Sequence, residues 1–200
     1  KPPDGLSVEE IDRIISAVDR SKAEGQRNRA ILETLYSCGL RVSELVNLKL
    51  SDLYFDEGFI KVEGKGSKQR LVPISPRAIN EIKLYFTDRN RIEVKKEYED
   101  FVFVSQRRGK GLSRIMIFHM IKELAQTAGI IKNISPHTFR HSFATHLLEG
   151  GANLRAIQCM LGHESIATTE IYTHIDRNML RSEIIEHHPR NIKYRKEKER

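Results

Sequence analysis

Cysteine is scarce in this 200-residue chain: Cys38 and Cys159 are the only two, and both fall in apolar helical patterns. That usage excludes a disulfide-stapled scaffold and a cysteine-built metal knuckle. Both read as small core residues in a reducing compartment. No apolar run approaches the ~20 residues of a membrane span. No secretory leader is visible, so the expected location is cytoplasmic, without a membrane partner. No P-loop is present: the glycines near Lys65 have the wrong spacing, no strand-to-helix junction follows, and Gly66 stands where Ser or Thr would be needed. A carboxylate cluster suited to magnesium is also lacking, and no cofactor is expected. Internal repeats are absent, and strands and helices do not alternate regularly enough for a doubly wound α/β fold.

Negative charge is in deficit. Lys and Arg number 34 against 27 Asp and Glu, giving +7 and a pI near 9.4. A polyanion is the partner such an excess suggests, although basic charge alone fits an ordinary soluble protein equally well. A chain of this length buries roughly 70% of its unfolded surface and needs no staples. Residues 1–5, with Pro2 and Pro3, read as the remnant of a linker.

Ser7 and Glu10 make a capping box, stapled by Leu6 and Ile11. Ile11, Ile14, Ile15 and Val18 follow at helical spacing. A second helix is predicted from about Asn28 to Cys38, stopped by Gly39, and a third from about Val42, with Leu45 and Leu48 inward. Over residues 53–74 the period changes to three short antiparallel strands, turning at Asp56-Glu57-Gly58 and at "GKGSKQ". Ser75-Pro76 opens another helix. The charged stretch 88–100 reads as solvated and "FVFVS" (101–105) as a short strand. The basic loop "QRRGKGLSR" ends at the Ser113 cap of a helix closing at Gly129. Ser135-Pro136 starts a helix ended by Gly150-Gly151. Asn153 starts one ended by Gly162, Thr168 caps a short one holding Tyr172, and a last helix covers 177–187. The fold class is mainly α with a small three-stranded antiparallel sheet (α+β).

"HTFRHSFATHLLEGG" (137–151) concentrates cationic and near-cationic groups on a helix that must also bury Phe139, Phe143 and Leu147. At 100° per residue these three form one stripe. His137 and Arg140 project together from its border. A guanidinium there can form two parallel hydrogen bonds to a phosphate, and the imidazole adds a donor or a proton. A metal pair of His137 and His141 is disfavoured by the permanent charge of Arg140. His141 and His146 read as capping or surface histidines. Arg41 begins a helix, where the dipole disfavours a cation, and Glu44 is placed to hold its fork. Lys65 sits in a glycine-flanked hairpin turn. His163 follows a helix-ending glycine, and Tyr172 lies nine residues later. Each of these alone also fits an ordinary role: a solvated turn lysine, a half-buried tyrosine. Lys68 and Arg70 flank the Lys65 turn. Arg107, Arg108, Lys110 and Arg114 surround the helix start at Ser113. All seven, Ser113 included, are candidate contacts to the phosphates of a polyanion such as DNA, setting affinity and salt dependence rather than sequence choice.

In order and spacing, "GLRVSEL", "GKGSKQRLVPI" and "HTFRHSFATHLLEGGANLRAIQCMLGHESIATTEIYTHI" resemble the catalytic domain of the tyrosine recombinases, or phage-integrase family. "HHPR" (187–190) resembles the Xer-type members. The resemblance covers about residues 5–190 and implies the fold shared with type IB topoisomerases. By position it implies that Arg41 is the first catalytic arginine and Lys65 the hairpin lysine. It matches His137 and Arg140 to the His-x-x-Arg pair, His163 to the His/Trp position and Tyr172 to the nucleophile. The implied reaction breaks and rejoins DNA strands through a 3′-phosphotyrosine, with Holliday-junction formation and resolution, in DNA integration or chromosome-dimer resolution. It implies double-stranded DNA and a tetramer, homomeric or with a related recombinase, as partners in the nucleoid. A type IB relaxing enzyme and a DNA-binding module without catalysis are the alternatives. The expected division is a catalytic domain at 6–176, a C-terminal helix at 177–188 and a disordered basic tail at 189–200. Leu180 and Ile184 anchor that helix, either on a neighbouring subunit or on its own domain.

Overall fold

The computed structural model describes residues 5–162 and 177–191. Local signals account for most element ends. Helix α1 (Val8–Ser16) starts at the predicted capping box: Ser7 Oγ accepts from the Glu10 N–H and Glu10 Oε1 from the Ser7 N–H, while Ile11, Ile14 and Ile15 face the core. Helix α2 (Gly25–Cys38) starts three residues before the predicted Asn28. Its first turn is polar, so apolar periodicity does not report it. Gln26 and Arg29 are held there by Glu81, at 2.8 and 3.3 Å. Gly39 ends α2 at φ +65°. A Cβ there would lie 2.3 Å from the Phe143 ring, so both the backbone angle and the packing require glycine.

Helix α3 (Val42–Val46) leads into the sheet of β1 (Leu53–Tyr54), β2 (Phe59–Glu63) and β3 (Gln69–Pro73). The strands are antiparallel in the order β1-β2-β3, with Leu53 opposite Ile60 and Val62 opposite Arg70. Helix α4 (Pro76–Arg89) is capped by Ser75, as predicted. The apolar run 101–105 is not a sheet strand. It makes only isolated bridges, Lys49 to Phe101 and Val104 to Gly111. Side chains satisfy its backbone instead. The Tyr85 hydroxyl donates to Val102 O and accepts from the Val104 N–H, and Arg89 donates to Phe101 O.

Among the described residues, four further helices follow: α5 (Arg114–Thr127), α6 (Pro136–Glu149), α7 (Leu154–Leu161) and α8 (Arg177–His187). Among the described residues the apolar core forms two clusters. The larger joins α1, α2, the sheet, α4 and α5. The smaller joins α7 to Leu180 and Ile184 of α8. Helix α6 lies at their seam, giving Phe139 to the first and Phe143 and Leu147 to the second. The predicted stripe is therefore fully buried, but against two partners. Leu180 and Ile184, the expected anchors of α8, lie in the smaller cluster.

The expected tail from 189 onward does not begin where charge alone places it. Arg190 is 2% exposed and Asn191 3%. Arg190 is hydrogen-bonded to Asp12 and lies 3.0 Å from Glu33, whose carboxylate is fully buried. A buried carboxylate needs a counter-ion, and this one draws Arg190 inward. Among the described residues, no helix is long and apolar enough to cross a membrane.

Candidate active site

Helix α3 sets the first cation. Glu44, three residues into the helix, reaches back: its Oε1 accepts from the Arg41 backbone N–H at 2.9 Å, and its Oε2 lies 3.4 Å from Arg41 Nη1. The predicted restraint of Arg41 by Glu44 is present. The stronger partner of Glu44, however, is Arg70. That guanidinium holds both carboxylate oxygens, at 2.5 and 3.0 Å, and its Nε donates to Met160 O at 2.9 Å. Its side chain is only 8% exposed. Arg70, expected among the DNA contacts, is thus directed inward as a strut linking β3, α3 and the end of α7. Burial by itself would raise the Glu44 carboxyl, but hydrogen bonds and charges from Arg70 and Arg41 outweigh it and hold it below the ordinary range.

Arg140 enters from α6. Its Nη1 donates to Gly39 O at 2.7 Å and its Nη2 to Leu161 O at 2.8 Å. These carbonyls close α2 and α7, the electronegative ends of two helices. A guanidinium carries five N–H groups, so this anchoring leaves three for a ligand. Burial first, and then the charge of Arg41, lower the Arg140 pKa to about 10, with Glu44 opposing. Arg140 therefore remains cationic at neutral pH. Three guanidinium groups, Arg41, Arg70 and Arg140, influence one another around the single carboxylate of Glu44. The positive excess is fixed in place before any ligand arrives, which favours an anion.

Lys65 lies exposed in the turn between β2 and β3 (Lys65–Ser67), where Gly66 takes φ +71°. It shares a cavity of about 660 Å³ with Arg41, Glu44, Lys49, Lys61 and Gly64. His137 is exposed in the first turn of α6, one turn before Arg140. Among the described residues, no three His, Cys, Asp or Glu side chains gather closely enough to hold a metal ion.

His163 and Tyr172 lie outside the described residues. Gly162, the residue before His163, closes α7 at φ +72°, and a Cβ there would lie 2.9 Å from Arg70 Nη1. The Arg70 strut therefore ends where the stretch carrying those two residues begins. Of the remaining candidates, Lys68, Arg107, Arg108, Lys110, Ser113 and Arg114 are all exposed, and Ser113 Oγ caps α5 by accepting from the Met116 N–H. His146, expected at the surface, is 6% exposed and hydrogen-bonded on both ring nitrogens. Its place in an apolar stripe is the same as a surface-border residue's, so spacing does not separate the two. One clue to the role of Arg70 lay in Glu44: a carboxylate carried to the buried side of a helix start needs a cation beside it.

The family model described as the phage integrase family matches residues 5–179. Tyrosine recombinase XerD of Pseudomonas putida is 45% identical over 188 residues, covering 94% of this chain and 63% of that protein. The XerD of Oceanobacillus iheyensis is 46% identical over 191 residues, 95% and 64% of the two chains. This chain therefore spans less than two thirds of the length of these curated relatives. The crystal structure of XerA recombinase superposes with a TM-score of 0.72 at 39% identity, over 92% of this chain and 64% of that one. XerH site-specific recombinase, in a pre-cleavage complex with its difH substrate, gives 0.72 at 30% identity, over 87% and 51%.

Proposed function

The chain belongs to the phage integrase family, and from that premise we propose that it is the strand-cleaving part of a site-specific DNA recombinase, with Tyr172 as nucleophile. The observation that carries this reading is the anchored pair of guanidinium groups. Arg140 is fixed on the carbonyls of Gly39 and Leu161, Arg41 is fixed on Glu44, and Lys65 shares the cavity that Arg41 lines.

The chemistry follows from the charges. Tyr172 Oη attacks a phosphodiester phosphorus; the Tyr–O–P bond forms and the bond to the 5′-oxygen breaks. A phenol with pKa near 10 costs about 4 kcal/mol to ionise at pH 7. A cation about 4 Å away, at an effective dielectric near 20, supplies energy of that order. His137 accepts the phenolic proton. Arg41 and Arg140, with His163, hold the non-bridging oxygens where negative charge grows. Lys65 gives a proton to the departing 5′-oxygen. A second strand's 5′-hydroxyl then attacks the phosphotyrosine, releases Tyr172 and rejoins the DNA. The phosphotyrosyl bond conserves the energy of the broken linkage, so the exchange needs no nucleotide. In the assembled reaction, four protomers on two duplexes exchange one pair of strands, pass through a Holliday junction and exchange the other pair, either integrating DNA or resolving chromosome dimers.

Capture on a nicked duplex tests this. Cleavage close to the nick frees a short fragment that diffuses away, leaving protein joined to DNA. The expected result is a covalent complex whose modified residue maps to Tyr172, with none formed by Tyr172→Phe although that variant still binds DNA. Attachment through another residue would displace Tyr172. Relaxation of supercoiled DNA without paired sites would make the domain a topoisomerase instead.

A further inference from the structure

Helices α2 and α6 are joined by side-chain hydrogen bonds at two levels. At one, Arg140 meets Gly39 O. At the other, about two turns further along α6, the Tyr36 hydroxyl meets His146 Nδ1 at 2.7 Å. The later residue of α2 meets the earlier residue of α6, as in an antiparallel pair. Two such braces constrain the rotation of α6 about Gly39 as well as its distance from α2.

A backbone carbonyl fixes one hydrogen-bond direction. His146 Nε2 lies 2.7 Å from Leu6 O, and a carbonyl only accepts, so Nε2 carries the proton. In the tautomer that carries its proton on Nε2, Nδ1 accepts from Tyr36, whose phenol is kept protonated by burial. One turn back on α6, Ser142 Oγ accepts from the Leu6 N–H at 3.2 Å and donates to Thr138 O at 2.7 Å. Both backbone groups of Leu6 are thus bound to the helix that carries Arg140. Tyr36 is held from its other side by His188, whose Nε2 donates to Tyr36 O at 2.9 Å. The chain leading into α1, the end of α2 and the residues after α8 all converge on this one histidine and its tyrosine.

We propose that His146 is a positioning residue for Arg140: with Tyr36 it forms the second brace that fixes how α6 lies over Gly39, and so where the free N–H groups of Arg140 point. Its effect on strand cleavage rests on the reading of Arg140 given above, whereas its effect on Arg140 itself does not.

Three variants separate the two halves of the network. Tyr36→Phe removes only the hydroxyl. His146→Gln keeps a donor near Nε2 for Leu6 but loses the acceptor for Tyr36. His146→Asn keeps an acceptor near Nδ1 and loses the Leu6 donor. Two readouts are taken: NMR hydrogen exchange of the Arg140 guanidinium in the DNA-free protein, and single-turnover cleavage of a nicked duplex at saturating protein. Ile14→Val, a core change in α1, serves as the control for general loss of stability. In Tyr36→Phe and His146→Gln, Arg140 exchange is expected to quicken about tenfold or more. Cleavage is expected to slow by roughly 10–100-fold, the cost of an ångström-scale misplacement, with DNA affinity within about threefold of the parent. His146→Asn is expected to recover most of both. Arg140 exchange no faster than in Ile14→Val overturns the proposal, whatever the cleavage rate. Faster exchange with unchanged cleavage also overturns it. If the parent protein does not cleave, the Tyr172 reading fails and exchange alone decides the brace. If the His146 variants do not fold, Tyr36→Phe decides.

Discussion

Arg70 and Glu44 face each other through two hydrogen bonds, 2.5 and 3.0 Å long, with side chains 8% and 1% exposed. The same carboxylate restrains Arg41, and the same guanidinium holds the carbonyl of Met160. One buried pair thus ties the hairpin, the Arg41 helix and the end of α7 into a single block. Arg70→Met leaves Glu44 buried without its main counter-ion. Breaking such a pair costs about 3–5 kcal/mol, read as a lower urea midpoint. The slope of log K against log salt for DNA binding is expected to stay unchanged, because Arg70 is turned away from solvent. A shallower slope would mean that Arg70 meets phosphate after all.

Arg140→Lys separates charge from geometry. Lysine keeps the cation but has a single ammonium, which cannot span Gly39 O and Leu161 O while offering further donors. The two helix ends lose their shared partner, and the phosphate loses a preset one. The expected loss is about 2.7–4 kcal/mol of transition-state stabilisation, or roughly 10²–10³ in single-turnover cleavage, typical for one such donor. DNA affinity is expected to change little, since net charge is conserved. Near-normal cleavage would show that charge alone suffices.

Much of this fold was legible because its signals are local. Ser7 with Glu10, Ser75, Ser113 and Asn153 each cap a helix three or fewer residues away, and Gly39 and Gly162 each end one. The hairpin that carries Lys65 and the buried stripe of α6 were also readable from period alone. What was misread depends on partners far apart in the chain. Arg70 and Glu44 are separated by 26 residues, Tyr36 and His146 by 110. Nothing in "GKGSKQR" tells an inward arginine from an outward one, and nothing in "HHPR" shows that the buried carboxylate of Glu33 is the partner of its arginine. The stretch 101–105 carries a strand's composition, yet the Tyr85 hydroxyl and Arg89 occupy the backbone groups that a neighbouring strand would need.

The end of the described chain carries a pH dependence. His188 is fully buried; its Nδ1 accepts from the Arg190 N–H and its Nε2 donates to Tyr36 O. Burial, with the positive charge of Arg190 adding to it, lowers its pKa to about 4, while the hydrogen bond to Tyr36 opposes the shift. The unfolded chain therefore takes up this proton at a higher pH than the folded one. The stabilisation is complete above about pH 6.5 and is lost as pH falls from there toward 4, by up to roughly 3 kcal/mol. Urea midpoints measured between pH 7 and 4.5 are expected to fall in the parent. His188→Gln, which keeps a donor for Tyr36 but cannot titrate, is expected to be less stable at pH 7 and to show a flatter pH profile. Parallel profiles would remove His188 as the cause.

The loop between Ser105 and the start of α5 presents Arg107, Arg108, Lys110 and Arg114 to solvent, in front of a helix start whose first turn is capped only by Ser113. None of the four is buried in an ion pair of the Arg70 kind, so each is available to neutralise a phosphate. Every phosphate neutralised on duplex DNA contributes about 0.9 to the slope of log K against log salt. Replacing Arg107 and Arg108 together by Ala is expected to reduce that slope by about 1.8 and to weaken binding to unrelated duplexes by similar factors, since phosphate contacts carry no base information. Titrations at several salt concentrations, on two duplexes of different sequence, check both expectations. An unchanged slope would remove this loop from the DNA interface. A loss confined to one duplex would make these arginines readers of base edges rather than of the backbone.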